Sequence, residues 1–302
     1  MRKIFGSENL KIENSSVALG NFDAIHKGHI AIISDMLSFS REHELLPVVY
    51  MFKDSPNKGE LGINSLEKRL EILEKMGVEV AVIEEFNNVK NIPYDEFIEE
   101  YVKNRMDAKA VFVGFNYRFG KGAQGDAKRL EELCKKDNID VFIKDCIKID
   151  GVTVSSSKIK EFITEGEMET AKEFMTRGFS IRGTVIKGKQ LGRTIGFPTA
   201  NIEYPAGAIL PKEGVYITLC KIGENKYCSI TNVGEKPTVS DERKNIETAI
   251  GDFDADIYGE QIEIEFFSRI RDISKFESLD KLKEQLSEDM NMAKSFFDAV
   301  KE

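Results

Sequence analysis

Four shortages bound the chain before any motif is considered. Cysteine occurs only as Cys134, Cys146, Cys220 and Cys228 in 302 residues. None forms a C-x-x-C pair or a zinc-ligand spacing, so reduced thiols are expected rather than a disulfide framework. No apolar run approaches membrane-spanning length, and Met1 to Leu10 lacks the apolar stretch of a secretory signal. The expectation is a cytoplasmic protein with no membrane partner. Basic residues are outnumbered, 43 Lys and Arg against 52 Asp and Glu, for a formal net charge of −9. A general nucleic-acid binder needs a basic face to displace counterions, so this balance argues against nucleic acid as a partner. A small anion held in a local pocket remains compatible with it. Histidine is the fourth shortage: there are three, and two of them are His26 and His29.

What is present suits a globular chain of about two domains. The sequence is 41% hydrophobic and 31% charged, enough to bury a core. Val17 to Leu19 reads as a first buried strand, followed by Ile30, Ile33, Met36, Leu37 and Phe39 at helical spacing. Pro47 interrupts before a strand over Val48 to Phe52. Asn64 with Glu67 resembles a capping box, opening a helix marked by Leu66, Leu70 and Leu73 and closed by Gly77. Strands over Val78 to Ile83, Ala110 to Val113 and Asp140 to Ile143 alternate with helices over Tyr94 to Arg105 and Asp126 to Lys136. This rhythm predicts a doubly wound α/β domain with a parallel sheet. After Ile149 the texture changes. Ile159, Phe162 and Ile163 keep a helical period, Met168 to Met175 a short one, and from Phe179 to about Asp272 alternation of period two prevails. Ile181, Gly183 and Val185, then Val215 and Ile217, then Ile262, Ile264 and Phe266 mark strands of a small closed or nearly closed barrel. Leu279, Leu282, Leu286, Met290, Ala293, Phe296 and Val300 form one apolar stripe on a long C-terminal helix. The division is expected between residues 166 and 178, giving domains 1–170 and 171–302. There is no internal repeat or low-complexity segment.

Chemistry concentrates first in Val17-Ala18-Leu19-Gly20-Asn21-Phe22-Asp23-Ala24-Ile25-His26-Lys27-Gly28-His29. Two imidazoles three residues apart on a helix share a face. A helix start also offers unpaired N–H groups and the positive end of the dipole to an anion. Gly28 keeps the corner open to a ligand. The stretch reads as a phosphate cradle; a metal pair or two surface histidines are the alternatives. Gly114-Phe115-Asn116-Tyr117-Arg118-Phe119-Gly120-Lys121-Gly122 joins an amide, a guanidinium and a lysine to three glycines, a composition that suits a loop closing over a nucleotide; an ordinary loop with core aromatics is the other reading. Ser155-Ser156-Ser157-Lys158-Ile159-Lys160 offers hydroxyls and N–H groups at another helix start, and N-capping explains it equally.

These three segments, in this order, resemble the FAD synthetase half of the bacterial bifunctional riboflavin kinase/FAD synthetase family, whose nucleotidyltransferase signature is G-x-F-D-x-x-H-x-G-H. Gly192-Arg193-Thr194-Ile195-Gly196-Phe197-Pro198-Thr199-Ala200-Asn201 resembles the riboflavin kinase signature. It is followed by Gly214-Val215-Tyr216, Asn232 to Thr238, Ile246-Glu247-Thr248 and Asp252 to Gly259. The resemblance runs from about Lys11 to Ala293. It implies an N-terminal Rossmann-like nucleotidyltransferase domain and a six-stranded Greek-key-type barrel carrying a long helix.

The residues fit such chemistry by themselves. A kinase must neutralise the β- and γ-phosphates, hold Mg²⁺ and take a proton from the acceptor hydroxyl. Thr199 and Asn201, two apart on an extended strand, point the same way and offer hard oxygens to a metal. Glu247 by position is a strand carboxylate able to act as a base; the resemblance implies that role on the ribityl 5′-hydroxyl of riboflavin. Gly183, Gly188 and Gly192 around Lys187 and Lys189 would form a flap over the phosphates, with hairpin turns beside solvated lysines as the alternative. The resemblance further implies that ATP and flavin are held by Gly20, Phe22, Asp23, Gly28, Asn116, Arg118, Ser155, Ser156, Ser157 and Lys160 in the first domain. In the second it implies Pro198 and Asn232 as binding residues. It assigns His26 and His29 to the ATP phosphates of the adenylyl step, and Mg²⁺, ATP, riboflavin, FMN and FAD as cofactor, co-substrate, substrate and products.

Four positions depart from the family pattern. Ala24 stands where glycine is usual, and would be strained if its φ were positive. Asp54-Ser55-Pro56 replaces a P-H-P ending. Lys160 replaces arginine, keeping charge but losing a bidentate fork. Ala249 replaces a frequent histidine. The expected function is two-step, riboflavin to FMN to FAD, with a kinase bearing an impaired adenylyltransferase domain or a non-catalytic flavin-binding regulator as alternatives. A homo-oligomer is compatible with the sequence, which does not specify one.

Overall fold

The computed structural model describes residues 1–6, 11–54, 62–188, 196–235 and 244–300, without the side chains of 235 and 300. Gly192 and Lys189, the 193–195 part of the kinase-like signature, Ser55 and Pro56, and residues 236–238 lie outside the described residues. The contacts divide the chain into two compact units, Met1–Lys158 and Ile159–Glu302. The observed division thus lies twelve residues ahead of the 170/171 boundary read from texture. The last two turns of the helix over Ser156–Glu165 and the following helix group with the barrel, Phe162 meeting Phe174 edge-on at 5.0 Å.

In the first unit, strands β1 (Arg2–Phe5), β2 (Ser15–Leu19), β3 (Leu46–Phe52), β4 (Val80–Glu84), β5 (Ala108–Gly114) and β8 (Asp140–Lys144) form one sheet in the order β1-β4-β3-β2-β5-β8. Every pairing in it is parallel. Pro47 lies inside β3, opposite Ser16, rather than ahead of it. Helices α1 (Lys27–His43), α2 (Leu66–Met76) and α5 (Ala127–Cys134) connect the strands, and two small ribbons, β6 (Arg118–Phe119) with β7 (Gly125–Asp126) and β9 (Lys148–Ile149) with β10 (Val152–Thr153), fold locally. Both faces of the sheet are covered: Val49, Met51, Ala81 and Ile83 pack with Ile33, Met36 and Leu73 on one, and Val17, Leu19, Val111 and Val113 with Val102 and Leu130 on the other. That double burial is why the strands read as continuous apolar runs. Two short α-helical turns, α3 (Phe86–Val89) and α4 (Tyr94–Phe97), lead into a π-helical stretch over Ile98–Arg105. The helix expected over Tyr94 to Arg105 therefore winds wider in its second part, closing with an i to i+5 bond from Met106 N–H to Tyr101 O at 3.1 Å. Windings of this kind are uncommon and tend to flank functional sites. The strand order switches sides between β2 and β5, the chain running out to β3 and β4 on one side and to β5 and β8 on the other, and ligands of such sheets bind beyond the carboxyl ends of strands at that switch.

The helix α6 (Ser156–Glu165) begins in the first unit and from Ile159 onward belongs to the second, where α7 (Met168–Met175) follows. Six strands follow: β11 (Phe179–Ile186), β12 (Thr199–Glu203), β13 (Gly214–Ile222), β14 (Asn225–Glu235), β15 (Lys244–Ile250) and β16 (Gln261–Arg271). They close a barrel in the order β11-β12-β15-β14-β13-β16, antiparallel at each step. Closure leaves no sheet edge exposed. Alternation fills the interior with Phe179, Ile181, Val185, Ile246, Ile264 and Phe266, all buried. Four hydroxyls also lie inside, and they satisfy one another: Thr218 bonds Ser229 and Thr231, and Thr231 bonds Thr248, each at 2.8 Å. The C-terminal helix α8 (Leu279–Val300) lays Met290 and Ala293 over Ile217, Ile230 and Ala249 on the outer face. Its fully buried Asp289 receives the Arg271 guanidinium, with Nη2 to Oδ2 at 2.6 Å.

Candidate functional sites

At the switch between β2 and β5 the first unit carries a cleft of about 630 Å³. Gly20, Phe22, His26, Gly28 and His29 line it from the β2–α1 loop, Asn116 and Arg118 from the loop after β5, and Ser155, Ser156 and Ser157 from the start of α6. Ten of the residues expected around a nucleotide thus meet on one wall system.

The loop explains its own geometry. His26 caps α1, its Nδ1 accepting the His29 N–H at 3.2 Å. An accepting Nδ1 holds a lone pair, so the ring proton sits on Nε2 and the ring keeps an outward donor. The two imidazoles stack, centroids 3.7 Å apart and planes 14° apart, with Phe22 edge-on to His29 at 5.2 Å. Ala24 does not have a positive φ and is fully buried, so the alanine is unstrained. The left-handed conformations fall on its neighbours instead, Phe22 at φ 49° and Ile25 at φ 43°. A buried β-branched residue there is a genuine outlier.

Asp23 is not on the cleft wall; its Oδ1 accepts the Asn64 N–H at 3.3 Å while its carbonyl accepts Asn64 Nδ2 at 2.7 Å. Asn64 is therefore no helix cap. That place belongs to Ser65, whose hydroxyl accepts the Lys68 N–H. Ser155 likewise caps α6, accepting the Lys158 N–H at 3.3 Å, so the capping reading and the cleft position hold together. Arg118 lies 3.6 Å from Asp126 across its ribbon. Lys160, half-buried on α6, is not among the lining residues.

Beside the histidine loop the cleft has an aromatic wall. Phe52, Phe86, Phe97, Tyr117 and Phe119 line it with Tyr50. The Tyr50 hydroxyl is buried with no hydrogen-bond partner among the described residues. Burial, with Glu84 nearby, raises its ionisation far above the usual phenol range, and burial does the same for Tyr117. Both rings are thus neutral surfaces for a planar ligand. Sequence reasoning passed over this wall, because scattered aromatics carry no period of their own.

On the barrel a second cleft of about 800 Å³ is lined by Gly188, Pro198, Thr199, Asn201, the 249–258 segment and, from α8, Ser287, Met290, Asn291 and Lys294. Glu247 and Asn232 are not on its lining, yet the strand register ties them to it. Asn201 on β12 and Asn232 on β14 both pair with Glu247 on β15, so the three side chains form a row on one face. Thr199 donates to Glu247 Oε1 at 2.5 Å, and Asn245 Nδ2 donates to Asn201 Oδ1 at 3.2 Å. Among the described residues the buried Asn232 Oδ1 has no hydrogen-bond partner, which leaves an acceptor beside the carboxylate.

Gly188 abuts Asn201 so closely that a Cβ would stand 2.1 Å from its Nδ2. Gly183 does not belong to a flap: it is buried within β11, where a Cβ would come 2.4 Å from the Glu203 carbonyl oxygen. Its glycine answers to the approach of β12. Lys187 lies 5.8 Å from the Tyr258 ring. Ala249 is buried under α8, where a larger side chain would displace Met290 or Ala293.

Among the described residues no three His, Cys, Asp or Glu side chains converge into a metal cage. Thr199 and Asn201 beside Glu247 are nonetheless a hard-oxygen set, which suits an Mg²⁺ held by few protein atoms together with phosphate oxygens.

Comparison with known proteins agrees with this two-site architecture. A family model described as FAD synthetase matches residues 9–158, and one described as riboflavin kinase matches residues 175–297. The chain is 30% identical to a bifunctional riboflavin kinase/FMN adenylyltransferase of Haemophilus influenzae, over 96% of this chain and 97% of that protein. It is 31% identical to the protein of the same description in Bacillus subtilis, over 94% and 92%. A crystal structure from Streptococcus pneumoniae, described as a macrolide-efflux protein, superposes with a TM-score of 0.90 at 31% identity, over 97% of this chain and 99% of that one. Among the described residues here, no helix is long and apolar enough to cross a membrane.

Proposed function

Because the chain belongs to the bifunctional riboflavin kinase/FMN adenylyltransferase family, we propose a division of labour between its two clefts. The enzyme transfers the γ-phosphoryl group of ATP to riboflavin, giving FMN and ADP, and then joins FMN to the AMP moiety of ATP, giving FAD and pyrophosphate.

The kinase step belongs to the barrel. Glu247 takes the proton of the ribityl 5′-hydroxyl as that oxygen attacks the γ-phosphorus and ADP departs. Thr199 and Asn201 would hold Mg²⁺, which neutralises charge on the phosphate oxygens when bound. Asn232, with its open acceptor next to Glu247, receives a donor from the substrate and helps orient it.

The adenylyl step belongs to the α/β unit and needs no general base. An FMN phosphate oxygen, already anionic at pH 7, attacks the α-phosphorus and the pyrophosphate leaves. The residues supply position and charge compensation. The Nε2–H of His26, the His29 ring and the N–H groups opening α1 and α6 face the phosphates, and the aromatic wall takes the flavin. The impaired-synthetase alternative drew on Ala24, on Asp54-Ser55-Pro56 and on Lys160, and of these Ala24, which has no positive φ, no longer supports it. Four free cysteines suit the reducing cytoplasm, where we assign the enzyme.

The observation that carries this reading is the existence of two separate clefts, one with the stacked histidines and one with the Asn201–Glu247–Asn232 row. Incubating the protein with riboflavin, ATP and Mg²⁺ and separating flavins by chromatography tests it. FMN should appear first and FAD after it, and chelation of Mg²⁺ should stop the first step. FMN accumulating with no FAD would remove the adenylyltransferase assignment.

A further inference from the structure

Beneath the first cleft sits a buried cation that neither reaction step employs. Arg69, on α2, is 3% exposed. Its Nη1 donates to the carbonyls of Asn21 at 3.0 Å and Phe52 at 2.9 Å, with Asn21 Oδ1 at 3.4 Å, and its Nη2 donates to the Lys53 carbonyl. One guanidinium thus ties the chain leaving β2 to the chain leaving β3. Five residues earlier Asn64 grips Asp23 from both sides, and Gly62 stands so close that a Cβ would lie 2.3 Å from Asp23 Oδ1. Residues 62–69 therefore hold Asn21 and Asp23 together.

What they hold is strained. Phe22 lies between those two anchored residues at φ 49°, and Ile25 follows at φ 43°, both at most 1% exposed. Such conformations cost free energy and persist where the surroundings over-determine them. His26 is the next residue, and its ring caps α1 and stacks on His29. The guanidinium has the donors for this work. Its rigid fork reaches several carbonyls at once, which a single ammonium does not.

We propose that Arg69, supported by Asn64, is a positioning residue for adenylyl transfer, holding the strained Asn21–Ile25 loop so that His26 and His29 meet the phosphates of ATP. The inference rests on the assignment of those histidines to the adenylyl step. A purely electrostatic role is the competing account, in which any buried cation would serve.

The test compares Arg69→Met and Arg69→Lys in the full-length chain. Steady-state conversion of FMN and ATP to FAD is measured beside riboflavin phosphorylation by the same preparation. Both variants should lose about 10²-fold in kcat/KM for FAD formation, the loss falling mainly in kcat, as misplacement of catalytic groups predicts. Kinase activity should be unchanged.

Three histidines in the sequence make the second readout simple. In ring-¹³C-histidine spectra the His26 and His29 signals should move and the His43 signal should not. A fully active Arg69→Lys would overturn positioning in favour of charge. So would a loss of FAD formation with the His26 and His29 signals unmoved. If the Arg69 variants also lose kinase activity through misfolding, Asn64→Ala decides: a loss of about tenfold with the same histidine signature is expected, and wild-type behaviour overturns the proposal. Failure of the wild-type chain to form FAD would instead strike the functional assignment itself.

Discussion

The two clefts of this chain are built by opposite means. In the α/β unit the walls are loops leaving parallel strands, and the groups proposed to meet phosphate are set by backbone: a helix start, a capping imidazole, and residues at φ 49° and 43°. On the barrel the decisive groups are side chains on adjacent antiparallel strands, and ladder register alone aligns Asn201, Glu247 and Asn232. A site held by register is stiff and concentrates its chemistry in single side chains. A site held by loop conformation distributes it, and depends on supports such as Arg69 and Asn64 that lie outside the cleft lining.

That contrast predicts where one substitution does the most damage. Glu247→Gln removes the proton acceptor while keeping shape and the Thr199 contact. FMN formation should fall by about 10²- to 10⁴-fold, the range of general-base catalysis. FMN supplied from outside should still become FAD at the wild-type rate. Parallel loss of both activities in a folded variant would erase the separation of sites. In the other cleft His29→Ala should cost on the order of 10²-fold in FAD formation and leave phosphorylation of riboflavin intact. The smaller ceiling follows from shared work, since the His26 donor and the helix N–H groups remain.

The barrel has one support comparable to Arg69, and it acts on stability. Asp289 is fully buried and its carboxylate takes both Arg271 Nε and Nη2, with Gln285 adding a bond at 3.0 Å. The residue sits on α8, which lines the kinase cleft with Met290 and Asn291. Asp289→Asn should weaken the barrel by about 1–3 kcal/mol, the usual penalty for leaving a buried donor poorly matched. Thermal inactivation of the kinase should then shift to lower temperature, while FAD formation from FMN survives to the wild-type temperature. Equal shifts of both activities would mean that the units melt as one.

The same contrast governs what could be read from the sequence. The parallel sheet was legible because doubly buried strands are short apolar runs, as Val80–Glu84 and Ala108–Gly114 are, and because helices alternate with them. Barrel strands were legible by alternation, but not their order: β16 closes on both β11 and β13, pairings that no local pattern encodes. His26 and His29 stood out by scarcity and spacing. Glu247 did not, since a strand carboxylate gains meaning only from its neighbours across the ladder, and the family resemblance supplied what spacing could not. Arg69 was visible in principle. A charged residue falling inside the Leu66, Leu70, Leu73 stripe of α2 is a buried charge, and a buried charge needs partners. Asn64 was misread because a capping box and a loop clamp use the same residue types, and only the position of Asp23 distinguishes them.

The smallest effect is expected at Ser155, where the two modes of construction overlap. Its hydroxyl caps α6 through the Lys158 N–H, and the residue also lines the first cleft. Ser155→Ala should lower stability by about 1 kcal/mol through the lost cap, with a modest rise in KM for ATP in FAD formation. Ser155→Asp separates the two contributions, because aspartate caps as well as serine while adding negative charge at a helix start meant for phosphate. Melting temperature should therefore return to the wild-type value while KM for ATP rises further than in Ser155→Ala. Recovery of both quantities would reduce Ser155 to a cap. The phosphate perch would then rest on Ser156, Ser157 and the backbone alone, making this corner of the cleft depend on main-chain geometry as fully as the histidine loop does.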